Sequence, residues 1–137
     1  MERSLQEPLD ALDYELIEAA RAAIRPNYDP VNFDHTVGAA VRCKDGSIYT
    51  GVNLYTIHGA CGEFIALGAA ITAGRREFEA IVAVEGEQGE NILPPCGNCR
   101  QMLSHYAPGC KVILPGAGGP FKIPAAELLP FAYEIEP

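Results

Sequence analysis

The sequence predicts an α/β fold, a three-layer α/β/α arrangement around a mixed, mostly parallel central sheet. Three observations predict it. An Asp45-Gly46 turn joins two β-rich runs, T-V-G-A-A-V-R-C and I-Y-T-G-V-N-L, as a hairpin. After that hairpin, strands alternate with helices, which implies right-handed parallel crossovers. One of those strands, A-I-V-A-V, carries no polar position and needs cover on both faces. The chain of 137 residues is expected to form a single domain over 1–137.

The first element is a helix over 11–25. Asp10 stands where an N-cap is needed, Asp13 complements the helix dipole, and Pro26 ends the run. Leu12, Leu16, Ala19, Ala20 and Ala23 recur at helical spacing. The hairpin follows. The segment C-G-E-F-I-A-L-G-A-A-I-T-A reads as a buried helix stopped by Gly74. A buried strand over 80–84 leads through an acidic loop, E-G-E-Q-G-E-N, to a helix over 97–106. Pro108-Gly109 turns the chain into a strand over 111–114. A flexible G-A-G-G-P loop, a short F-K-I strand and a helical turn in P-A-A-E-L-L complete it.

Composition narrows the function. Ten Lys and Arg against 18 Asp and Glu give a net charge of −8, which repels polynucleotide phosphates, so nucleic acid is excluded as a partner. No apolar run reaches the ~20 residues of a membrane span. The N-terminal M-E-R-S-L-Q-E-P-L-D has neither a basic patch nor an apolar core, so no signal peptide is expected and the cytoplasm is the expected location. Five cysteines in a reducing compartment suit metal binding or catalysis better than a disulfide framework.

The chemistry gathers around L-P-P-C-G-N-C-R-Q-M. A Cys-x-x-Cys pair, Cys96 and Cys99, at a helix start suits thiol–disulfide exchange, a structural zinc site or an open catalytic zinc site. Cys61 and Glu63, in H-G-A-C-G-E, have no job in a redox protein. Cys61 also opens a helix after a strand, so three thiolates can converge at one sheet edge, supported by two helix dipoles. Three ligands leave the fourth zinc position open, the arrangement of a catalytic site. Cys110 or His58 would have to close it for a structural role. Glu63, two residues past Cys61, stands where a carboxylate can exchange a proton with water. A dithiol redox protein using Cys96 and Cys99, and a zinc-stabilised binding module, are the alternatives.

C-G-E followed by P-C-G-N-C resembles the cytidine deaminase superfamily, and V-G-A-A, D-G-S-I-Y-T-G-V-N and C-R-Q extend the resemblance over roughly residues 35–106. The resemblance implies Zn²⁺ on Cys61, Cys96 and Cys99. It implies Glu63 as the proton carrier in hydrolytic removal of the 4-amino group of a cytosine nucleoside or analogue, such as cytidine, deoxycytidine or blasticidin S. It also implies a homo-oligomer, a tetramer, whose subunits help wall each other's sites.

Asn53 matches the residue that binds sugar hydroxyls, and Tyr55 stands where cytidine deaminases usually have Glu; it lines the pocket or simply packs. Gly62 replaces the usual Ala, keeping the backbone N–H but freeing the turn. His35 takes the place of a Phe lying against the pyrimidine, where it stacks or faces solvent. Phe64 replaces an Arg that would offset thiolate charge; Arg100 is the candidate substitute, unless it makes only a surface salt bridge. Phe131 and Tyr133 are candidates to cover a pocket, and Glu134 and Glu136 to favour a cationic substrate arm.

Overall fold

The computed structural model describes residues 5–135; Glu136 lies outside them. The expected hairpin, β2 (Val37–Cys43) and β3 (Ile48–Val52), is preceded by a short β1 (Glu7–Pro8) and helix α1 (Ala11–Ile24). Helix α2 (Gly62–Thr72), β4 (Phe78–Glu85), β5 (Asn91–Leu93), α3 (Gly97–Tyr106), β6 (Lys111–Leu114), β7 (Phe121–Pro124) and a 3₁₀ turn (Ala125–Leu128) follow. The sheet order is β1-β7-β6-β4-β2-β3, with β5 paired to β4.

The sheet is mixed and lies between helices, as expected, but it is not mostly parallel. Among the described residues only β4 and β6 pair in parallel; β1·β7, β2·β3, β2·β4, β4·β5 and β6·β7 are antiparallel. The reason is the place of the hairpin. The α2 crossover does join two strands running the same way, β3 and β4, but β2 inserts between them and pairs antiparallel with both.

Alternation along β2 divides the core. Ala40 faces one side with Leu16, Ile17, Ala20 and Ile24 of α1 and with Ala80, Val82 and Ile113. Ala39 and Val41 face the other, with Ala66, Leu67 and Ala70 of α2 and Met102 and Leu103 of α3. Two glycines set the helix–sheet spacing. A Cβ on Gly38 would lie 2.3 Å from the Ala20 carbonyl oxygen, and one on Gly51 would lie 2.6 Å from the Ala66 nitrogen. Any side chain there would push α1 or α2 off the sheet.

The start of α1 is a capping box. The Asp10 carboxylate accepts from the Asp13 N–H at 3.0 Å, and the Asp13 carboxylate accepts from the Asp10 N–H at 3.0 Å. Asp13 also turns inward and is fully buried, while Leu12 is about half exposed. The buried stripe of α1 is therefore Asp13, Leu16, Ile17, Ala20 and Ile24, one position on from the predicted one.

Candidate metal and catalytic site

Cys61 and Cys96 are the N-cap residues of α2 and α3. Both have extended backbones, prepared by the Leu54↔Ala60 bridge ahead of Cys61 and by Pro94-Pro95 ahead of Cys96. The two sulfurs turn toward each other. They lie 3.5 Å apart across a separation of 35 residues. Cys99, fully buried one turn into α3, completes a group whose three sulfurs all lie within 4.8 Å of one another.

This group fits a zinc ion. Thiolates are soft donors suited to zinc, and sulfurs bound at about 2.3 Å around one tetrahedral ion stand roughly 3.8 Å apart. Among the described residues no fourth His, Cys, Asp or Glu joins the cluster. Cys110 is buried elsewhere in the core, beside Cys43.

Glu63 lies in the first turn of α2 and is 6% exposed. Burial pushes its carboxyl above the ordinary carboxylate range, against hydrogen bonds from its own N–H and from the Cys99 thiol. Burial likewise pushes Cys99 up, with the Glu63 charge adding to the effect, and it raises Cys61. Cys96 differs. Burial pushes it up too, but hydrogen bonds from the Cys99 and Asn98 backbone and from neighbouring thiols outweigh that and leave it below its ordinary value. Burial thus favours the protonated thiols at Cys61 and Cys99, and a bound cation is what would hold all three sulfurs as thiolates.

The surrounding residues fall less simply. Asn53 spends its side chain on the protein: Oδ1 accepts from the Thr36 and Val37 N–H groups at 2.8 and 3.0 Å, and Nδ2 donates to Asp34 O at 3.4 Å. His35 Nδ1 is 2.8 Å from Asn53 O, so this ring is tied to the strand end. Gly62 is buried against β2, where an added Cβ would meet Ala39 Cβ at 3.2 Å and Val37 Cγ1 at 3.4 Å. Tyr55 is 72% exposed and packs on little.

Arg100 does not meet a thiol. Its Nε donates to Pro95 O at 2.8 Å and its Nη1 to Leu128 O at 3.3 Å, so it braces the loop ahead of Cys96 against the 3₁₀ turn. The reason is geometric: Arg100 follows Cys99 on α3 and points back along the helix to the chain entering it. Phe131 and Tyr133 line a cleft of about 470 Å³ with Gln101, Ser104 and His105, on the part of α3 beyond the cysteines. Glu134 lines the same cleft.

The pattern of the cytidine and deoxycytidylate deaminase zinc-binding region matches residues 12–114. This chain belongs to that family. It is a zinc-dependent hydrolytic deaminase. It is 37% identical over 130 residues to blasticidin-S deaminase of Bacillus cereus, covering 88% of this chain and 91% of that protein. It is 39% identical over 105 residues to the cytidine deaminase of Halalkalibacterium halodurans, covering 73% and 78%. The crystal structure of cytidine deaminase from Burkholderia pseudomallei is similar at a TM-score of 0.72 and 35% identity, over 88% of this chain and 98% of that one. The deaminase has no helix, among the described residues, long and apolar enough to cross a membrane.

Proposed function

We propose that this deaminase hydrolyses the 4-amino group of a cytosine nucleoside or nucleoside analogue, using Cys61, Cys96 and Cys99 as zinc ligands and Glu63 as the proton carrier. The observation that carries the reading is the convergence of three thiols from two helix starts beside a buried carboxylate. Redox chemistry needs only Cys96 and Cys99 and gives no role to Cys61 or Glu63. A closed structural zinc site needs a fourth ligand.

Bound zinc supplies Lewis acidity that makes water nucleophilic near neutral pH. The chain's own residues do the rest. The N-termini of α2 and α3 carry partial positive charge that offsets the thiolates. The Glu63 carboxylate takes a proton from the attacking water as the C4–O bond forms, and delivers it to ring N3. It then moves the second water proton to the amine as the C4–N bond breaks. Water and the amino group leave as a carbonyl on the ring and ammonia. Burial of Glu63 keeps bulk water from competing for these protons.

Zinc-loaded protein is expected to contain one zinc per chain and to release ammonia from cytidine, deoxycytidine or blasticidin S, with loss of turnover on chelation. The similarity to blasticidin-S deaminase of Bacillus cereus supports testing that antibiotic beside cytidine. Comparison of kcat/KM for the two identifies the preferred one. Absence of ammonia from all of these and from cytosine would reject the reading.

The same reading takes residues 1–137 as one domain, Asn53, Tyr55, Gly62 and His35 as surroundings of the substrate, and Arg100 as a positioning residue. It places the deaminase in the cytoplasm as a homo-oligomer, a tetramer. Support for assembly comes from exposed apolar side chains in two segments. Leu54, Tyr55 and Ile57 lie in the loop before Cys61, and Phe131, Tyr133 and Ile135 in the tail. Sedimentation is expected to show an assembled species; a fully active monomer at assay concentration would refute it.

A further inference from the structure

Phe33 has φ of +58°, a region that bulky side chains avoid and that persists only where the surroundings dictate it. Here Asp29 dictates it. Its Oδ1 accepts from the Val31 and Asn32 N–H groups, both at 3.0 Å, and its Oδ2 from the Asp34 N–H at 3.4 Å. The Phe33 N–H donates to Asp29 O at 3.1 Å, and the Asp29 N–H donates to His35 O at 3.0 Å. These five hydrogen bonds would hold this loop whatever residue stood at position 33. Yet the side chain there is a phenylalanine left 55% exposed, outside both core clusters. The fold bears the strain and gains no buried ring.

The loop leads into the site. Asp34 O and the His35 ring are both bonded to Asn53, and the next two N–H groups donate to its side chain. Val37 then packs where a Cβ on Gly62 would sit, between Cys61 and Glu63. Phe33 is thus four residues back from the floor of the site, on a segment fixed to that floor by hydrogen bonds.

We propose that Phe33 is a specificity-determining residue of this deaminase, an aromatic wall at the rim of the site against which the sugar end of the nucleoside packs. The inference rests on the deaminase reading and adds a residue that the sequence motifs do not single out. Strain at position 33 is then the cost of presenting an aromatic face to substrate from a loop rather than burying it.

Phe33→Gly separates this role from a structural one. Glycine adopts positive φ freely, so the melting temperature is expected to hold or rise. Loss of the ring is expected to raise KM for cytidine, and the dissociation constant of uridine measured by calorimetry, by about fivefold or more, with kcat within twofold of wild type. Phe33→Tyr is expected to restore both affinities. Phe33→Asn, which also tolerates left-handed backbone, gives the same comparison should the glycine variant fail to fold. Unchanged KM and uridine affinity in Phe33→Gly or Phe33→Asn, with wild type active, would overturn the proposal alone. A wild type that neither deaminates cytidine nor binds uridine would overturn the deaminase reading, and this proposal with it.

Discussion

Glu63→Gln is expected to keep the zinc and lose turnover by on the order of 10²–10⁴-fold, more if one carboxylate serves several proton transfers. The amide is nearly the same size, so it disturbs little of the packing in the first turn of α2, where Glu63 is buried beside Cys99. Its carbonyl oxygen can still accept a hydrogen bond from water, but the amide cannot carry a proton. Metal content of about one per chain with kcat near background is the expected pair of results. The thiols come from Cys61, Cys96 and Cys99 and do not depend on residue 63. Full deamination by the variant would remove Glu63 from the mechanism. Loss of zinc along with activity would instead make its role structural.

Much of that site was legible in the sequence because its signals are local. A Cys at a helix start, a Glu two residues later and a Pro-Cys-x-x-Cys at the next helix start are each set by position along the chain. The elements around them were legible for the same reason: the helix over 97–106 and the strand over 111–114 fall where the pattern puts them. What depends on long-range pairing was not. β5 shares only Asn91 with the acidic loop, and three residues of strand carry no period to reveal it; it exists because the edge beside Val84 is open to it. Strand direction failed where β2 came between β3 and β4, which no alternation of helix and strand reveals. Adjacency to Cys99 points Arg100 to the thiolates, whereas its guanidinium reaches the carbonyls of Pro95 and Leu128, the latter 28 residues away.

A buried charge sets the phase of α1. The apolar residues at helical spacing include Leu12, whereas the buried position is Asp13. Asp13 is buried because two cations meet it. Arg42 Nη2 on β2 lies 3.1 Å from Oδ1, and Lys122 Nζ on β7 lies 2.7 Å from Oδ2. Arg42 also donates to Leu12 O at 3.0 Å. One carboxylate therefore ties the start of α1 to two separate strands, β2 and β7, each one strand in from an opposite edge of the sheet.

Asp13→Asn is accordingly expected to cost about 3–5 kcal/mol, since it leaves the cations of a buried group without their anion. That is a large share of the ~5–15 kcal/mol that holds a typical domain folded. The side chains of Arg42 and Lys122 are 7% and 12% exposed, so water can replace little of the lost interaction. The Asp10 carboxylate, 3.5 Å from Lys122 and mostly exposed, offsets only part of it. The pH dependence follows from the same contacts. Burial raises the Asp13 carboxyl, but hydrogen bonds from Lys122, the Asp10 N–H and Arg42 outweigh it and hold it below its ordinary value. A carboxyl lowered in the folded state gives stability that is complete above its unfolded value, about 3.9, and is lost as pH falls through the folded one. Lys122 is shifted the other way. Burial lowers it, but Asp13 and Asp10 more than restore it. Its contribution is complete below about pH 10 and disappears as pH rises through the folded value. Urea unfolding of wild type and Asp13→Asn should therefore differ most between about pH 4 and 10, with the two curves converging at the acid end as the wild-type carboxyl protonates. A loss under about 1 kcal/mol at neutral pH, or a gap that does not narrow in acid, would show that this ion group does not hold α1 to the sheet.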